Sequence, residues 1–172
     1  AYIVEVVSGE DFKVYCITHI FGPLGMESSS FSWSDLDMSK AVTLYLQNRM
    51  PIAPYDDQLY PGGSLKTSVE DFARFMMVYM NGGIYKGNRI LSEQSINDIL
   101  TLQNPATGKC LVWDQSAGNW YSHSGNVDGA GAHVDFQRDR KLGFMIVGNM
   151  TATPVYPGGQ IYDIVRHEAN RY

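Results

Sequence analysis

The chain has 172 residues, of which 44% are hydrophobic and 18% charged, the balance of an ordinary globular protein with enough length for a real core. A formal charge of −5 argues against nucleic acid or an anionic membrane as the main partner. No apolar stretch approaches the roughly 20 residues that cross a bilayer, so no transmembrane segment is expected.

The elements are expected as follows. Ala1 to Val7 and Asp11 to Phe21 are apolar at helical spacing, broken at Ser8-Gly9, with Gly9 suited to end one helix and Asp11 or Ser8 to cap the next. Gly22-Pro23 is expected to end the second helix, because the residue before proline is pushed out of the helical region. Pro23 to Phe31 reads as turn and loop, and Met50 to Gly63, with three prolines and two glycines, as an irregular surface connection. Thr67 or Ser68 should cap a strong helix with Glu70 and Asp71 in its first turn. Its apolar face is Phe72, Phe75, Met76, Tyr79 and Met80, and Gly82-Gly83 stops it. A further capped helix is predicted from Ser92 through Leu102. After Asn104-Pro105 the period changes to that of strands: Trp120 onwards, Ala132-His133-Val134-Asp135-Phe136, and Leu142 to Met150. The tail from Gln160 to Arg171 is helical again, with Ile161, Ile164 and Val165 on one face. The fold class is therefore α+β. Residues 1–105 should form part of a mainly helical lobe, and 106–172 a three-stranded antiparallel meander plus a C-terminal helix.

Chemistry concentrates at His123-Ser124-Gly125, where an imidazole, a hydroxyl and a close backbone approach sit side by side, as in the wall of an acyl-transfer site. An activated nucleophile to accompany it is missing, because no serine has a lysine three positions on. Tyr79-Met80-Asn81 reads as a helix end plus a core tyrosine. His133 reads as a packed or rim histidine, and Asp128 and Asp135 as turn and strand-surface residues. At least two of Trp33, Trp113 and Trp120 should pack in the core. His19 and His167 lack partners at metal-ligand spacing, and Cys16 and Cys110 read as small buried apolar residues, so neither metal nor cofactor is expected. The two cysteines leave the compartment open.

Taken in order, Ile20-Phe21-Gly22-Pro23-Leu24-Gly25-Met26, the run from Pro61 to Asp71, Asn81-Gly82-Gly83, His123-Ser124-Gly125 and the run from Gly143 to Asn149 resemble the serine β-lactamase-related superfamily, on its class C, DD-peptidase and esterase branch. The resemblance covers essentially the whole chain but only the C-terminal part of the family's length. It implies a partial β-lactamase/transpeptidase-like fold. It also implies a parent that hydrolyses an amide or ester through an acyl-enzyme, with the Ser-x-x-Lys and Tyr-x-Asn motifs outside this chain. His123 would stand where many relatives have lysine, positioning the substrate carboxylate and assisting proton transfer. Ser124 would hydrogen-bond that carboxylate, and Gly125 would let the substrate backbone lie against the strand. The backbone N–H of Asn126 would be one of two oxyanion donors. The expected partners are the substrate and either a complementary N-terminal segment of the same protein or a second copy at an exposed strand edge. The resemblance favours a periplasmic or extracellular setting. The alternative function is a catalytically inactive binding or scaffold domain.

Overall fold

Capping chemistry sets most of the helix ends. In the computed structural model, which describes residues 1–56, 60–151 and 159–172, α1 (Tyr2–Ser8) ends at Gly9, whose φ of 73° closes the turn in the left-handed region. Asp11 caps α2 (Phe12–Cys16) by accepting from the N–H groups of Lys13 and Val14. The helix does not end at Gly22-Pro23 as expected. A π-helical turn (Ile17–Phe21) leads into a single turn, α3 (Gly22–Leu24), and the chain leaves it at Gly25 with φ 66°. The Gly22 N–H bonds to Ile17 O, five residues back, and Pro23 falls in the first turn of α3, where its missing donor costs nothing.

The connection that follows is less irregular than expected, since β1 (Leu44–Tyr45) and β2 (Pro51–Ile52) pair as a short antiparallel ribbon. Residues 57–59 of that connection lie outside the described residues. Ser68 caps α4 (Val69–Met80) through the N–H of Asp71. The Asp71 carboxylate is itself buried, accepting from the Ser28 N–H at 2.8 Å and the Ser29 hydroxyl at 2.9 Å and pairing with Arg74. It therefore binds the preceding loop to the helix start, beyond the favourable charge at a helix N-terminus. α4 contacts α3 and the later strands, so Val78, off the predicted face, is also buried. The chain then turns into a hairpin, β3 (Ile84–Tyr85) and β4 (Asn88–Arg89). Ser92 caps α5 (Glu93–Leu100), which stops at Thr101 rather than Leu102.

Strands β5 (Asp114–Ser116), β6 (Trp120–Val127), β7 (Ala130–Gln137) and β8 (Leu142–Gly148) form an antiparallel sheet in that order. The meander predicted as three strands thus has a short fourth, whose polar Asp-Gln-Ser sequence carries no apolar alternation to reveal it. One sheet face packs the core: Phe136 meets Trp113 at 5.0 Å and Tyr79 of α4 at 5.9 Å between ring centroids. Trp113 and Trp120 are both buried, as is Tyr79 at the helix end. The other face is covered by α6 (Gln160–Ala169), but not through the predicted stripe. Ile161 and Ile164 are 48% and 64% exposed, while Tyr162 and Arg166 turn to the sheet, because a buried carboxylate and an indole there give them partners. Cys16 and Cys110 are free and buried, and burial pushes both thiols up.

Gly83 marks the tightest backbone approach. Its φ is 90°, and a Cβ there would lie 2.0 Å from Leu91 O. Gly83→Ala should therefore cost about 3 kcal/mol or more, through combined strain and displacement. Ser68→Ala, which removes one cap, should cost about 1 kcal/mol. Urea unfolding of the two variants checks both the size and the order.

Candidate active site

The geometry around His123 is set by the turn that joins β6 to β7. Asp128 and Gly129 alone connect Val127 to Ala130. Gly129 has φ 83°, and a Cβ on it would lie 2.7 Å from the Leu44 Cβ and 2.9 Å from the Ile52 Cδ1, so only glycine lets the hairpin tip seat on the β1–β2 ribbon. The Tyr55 hydroxyl donates to Asp128 O at 2.7 Å. This tight turn places Ser124 opposite His133, and Ser122 opposite Asp135. Because side chains alternate along a strand, neighbours His123 and Ser124 occupy opposite faces.

His123 lies on the core-side face, exposed, with its ring edge-on to buried Trp113 at 6.1 Å between centroids. Ser124 lies on the α6 side, with its Oγ 2.7 Å from His133 Nδ1. The other nitrogen of that ring, Nε2, is 3.2 Å from Asp135 Oδ2. The same carboxylate oxygen meets Arg166 Nη1 at 2.9 Å, and the guanidinium stacks over Trp120 at 3.8 Å from the ring centre. Tyr162 stands edge-on to His133 at 5.0 Å. Its phenol is pushed up to about 12, first by burial and then by the Asp135 carboxylate. His133 and Asp135 are each 1% exposed. Asn126 follows on the Ser124 side, exposed, and a Cβ built on intervening Gly125 would meet nothing within 4 Å.

The side chains of His123, Ser124 and Asn126 thus share one strand but do not converge on one face. His133 is a packed histidine, as expected, though one that grips Ser124. Asp135, expected on the strand surface, is buried because Arg166 and His133 neutralise and hydrogen-bond it. Arg166 and Tyr162 were missed: nothing in the local pattern of the tail distinguishes them from surface residues. The pairing of Ser124 with His133 had a legible signal, since an Asp-Gly pair between two strand patterns marks a two-residue hairpin and thereby fixes its register.

A cleft of about 610 Å³ lies elsewhere, between the end of α4, the β3–β4 hairpin and Asn119, Arg138 and Asp139. No serine, cysteine or histidine lines it. Its arginines are already engaged, Arg138 with Asn97 and Glu93, and Arg89 with the carbonyls of Gly82 and Leu91. Among the described residues there is no cluster of three or more His, Cys, Asp or Glu able to hold a metal ion, and no helix is long and apolar enough to cross a membrane.

Two outcomes follow from the buried network. Arg166→Met strands the Asp135 charge and should cost about 3 kcal/mol in chemical denaturation, a loss reduced when Asp135→Asn is added. Tyr162 titrates higher in the folded state, from 10.0 to about 12, so the stability it contributes is complete below about pH 10 and disappears as the pH rises towards 12. Tyr162→Phe should flatten the fall of unfolding free energy across that window, measured by urea titrations at stepped pH.

A family model described as Beta-lactamase matches residues 1–166. A Bacillus subtilis protein named as a penicillin-binding protein, PbpX, is 32% identical over 89 residues, 49% of this chain and 23% of that protein. Beta-lactamase-like protein 1 of Dictyostelium discoideum is 22% identical over 144 residues, 71% of this chain and 23% of that protein. The solved β-lactamase/D-alanine carboxypeptidase of Pseudomonas syringae shares the fold with a TM-score of 0.77 at 17% identity, over 99% of this chain and 56% of that one. The chain thus spans about a quarter of the curated relatives' length and little more than half of the solved one. With the α+β architecture and the family model agreeing across nearly every residue, the chain belongs to the Beta-lactamase family.

Proposed function

We propose that these residues form one wall of a serine acyl-transfer site, in a hydrolase that opens an amide or ester through an acyl-enzyme. The observation that carries this reading is an unbroken run of exposure along one strand beside a buried one. His123, Ser124, Gly125 and Asn126 are exposed in succession on β6, while β7 beside them is buried at Gly131 and from His133 to Gln137. A rigid strand that opens to solvent over four polar or side-chain-free positions offers fixed groups to a substrate. Membership of the Beta-lactamase family supports the reaction class.

In this reading His123, on the Trp113 side, positions the substrate and assists proton transfer. Ser124 hydrogen-bonds the substrate, and Gly125 leaves room for its backbone. The backbone N–H of Asn126 is one of two oxyanion donors facing the charge that develops in the transition state. No serine of residues 1–172 has a lysine one helical turn on, so the activated nucleophile and its base come from outside these residues. Among the described residues β8 has a strand neighbour on one side only, and Val147 on it is 49% exposed. That edge is where a complementary segment of the same protein, or a second copy, adds a strand.

Labelling the complete protein with a fluorophosphonate or a β-lactam and mapping the adduct by mass spectrometry should find one serine, outside residues 1–172. An adduct on Ser124 would overturn the assignment, and the absence of any adduct would favour the inactive binding scaffold. His123→Ala should lower turnover on the order of 10²-fold, the size of one positioned acid–base or polar group. An unchanged rate would remove His123 from the chemistry.

A further inference from the structure

The cleft at the end of α4 carries charges that the fold leaves unmatched. Its volume of about 610 Å³ falls within the roughly 300–1,000 Å³ of small-molecule sites. Met80, Ile84 and Tyr121 give it half-buried apolar surface. The Tyr121 ring is fixed, stacked on Phe136 at 5.5 Å between centroids, and its hydroxyl accepts from Gln115 Nε2 at 3.2 Å. Three cations line the same space. Arg89 donates to the carbonyls of Gly82 and Leu91, both through Nη1, and meets no carboxylate among the described residues. The Lys141 ammonium has no hydrogen bond or ion pair among the described residues. Its backbone nevertheless sits at φ 50°, a left-handed position that favours glycine. Arg138 bonds Asn97 and Glu93, but the second contact is loose, 3.3 Å long with the Glu93 side chain 69% exposed. Glu93 and Asp139 are the carboxylates of the cleft, so its three cations leave one positive charge over. We propose that this cleft binds a small organic monoanion, its oxyanion met by Arg89, Arg138 and Lys141 and its apolar body laid on Met80, Ile84 and Tyr121.

A guanidinium pinned by carbonyls through one nitrogen holds its remaining N–H groups in a fixed fork, the geometry an oxyanion takes. A neutral ligand would cover Arg89 and Lys141 without replacing the water they lose. A dianion would bring a second charge against Glu93 and Asp139. The ligand is held and not attacked, because no serine, cysteine or histidine lines the cleft. The turns that carry Asn119 and Lys141 lie at the end of the sheet opposite the β6–β7 turn. Binding there needs nothing from the acyl-transfer reading and is measured without turnover.

Calorimetric titration of the complete protein compares three probes: 3-phenylpropionate, its neutral amide 3-phenylpropanamide, and phenyl phosphate at about pH 8, where the phosphate is a dianion. The carboxylate should bind saturably and the amide at least about tenfold more weakly. Phenyl phosphate should bind no more tightly than the carboxylate. With ¹³C-methyl-labelled methionine and isoleucine, the carboxylate should shift the Met80 and Ile84 signals, which locates it in the cleft. Lys141→Gly relieves the left-handed backbone, so it should keep or raise the urea midpoint while weakening the carboxylate about fivefold. Adding Arg138→Gln should weaken it further. The inference is overturned by a carboxylate that does not saturate, by an amide that binds equally well, or by a dianion that binds more tightly. Saturation that leaves the Met80 and Ile84 signals in place, or a Kd untouched by both substitutions, overturns it too.

Discussion

Two residues, Asp128 and Gly129, decide which side chains meet on this sheet. A strand alternates its faces with period two, so a hairpin one residue longer would move every partner of β6 to the other side. The short turn instead puts Ser124 across from His133 and Ser122 across from Asp135. Nothing about the turn is loose. Its glycine is wedged against Leu44 and Ile52, and its aspartate carbonyl is held by Tyr55. The small β1–β2 ribbon, which contributes little to the core, thereby keeps the longer strands in register.

The two faces of the sheet are held by different forces. On the core side, Tyr121 stacks on Phe136, which meets Trp113 and Tyr79, so apolar burial and ring packing supply the stabilisation. On the α6 side the contacts are ionic and directional, through Asp135, Arg166 and His133. A buried ion pair gives modest net stability because desolvation offsets its attraction, but it tolerates few alternative geometries. α6 is accordingly oriented by Arg166 and Tyr162, and its isoleucines are left in water. The helix is docked by position more than by hydrophobic area.

That division explains what could be read from the sequence. Capped helices and alternating strands were legible because a cap, a glycine and a period are local signals: Asp11, Ser68, Ser92 and Gly9 all stand where their chemistry predicts. The core role of Tyr79 and of two tryptophans was legible for the same reason. The π turn before Pro23 was not, since it depends on a carbonyl five residues back choosing one donor over another. Nor was β5, which is polar and defined only by its neighbour. At the candidate site, His-Ser-Gly identified the strand, but its use of both faces needed the alternation to be followed residue by residue. Arg166 was invisible because its partner is a carboxylate 31 positions away in sequence that, on pattern alone, belonged on the surface.

The buried cysteines have a consequence of a different kind. Thiol exchange proceeds through the thiolate, and burial raises both groups above their ordinary value, which keeps that form scarce at neutral pH. Cys110 is further occupied, its Sγ directed at Leu100 O at 3.3 Å. No described contact of this fold depends on a cross-link. The packing that surrounds Cys16 and Cys110 thus shields both free thiols from exchange while the described fold is intact.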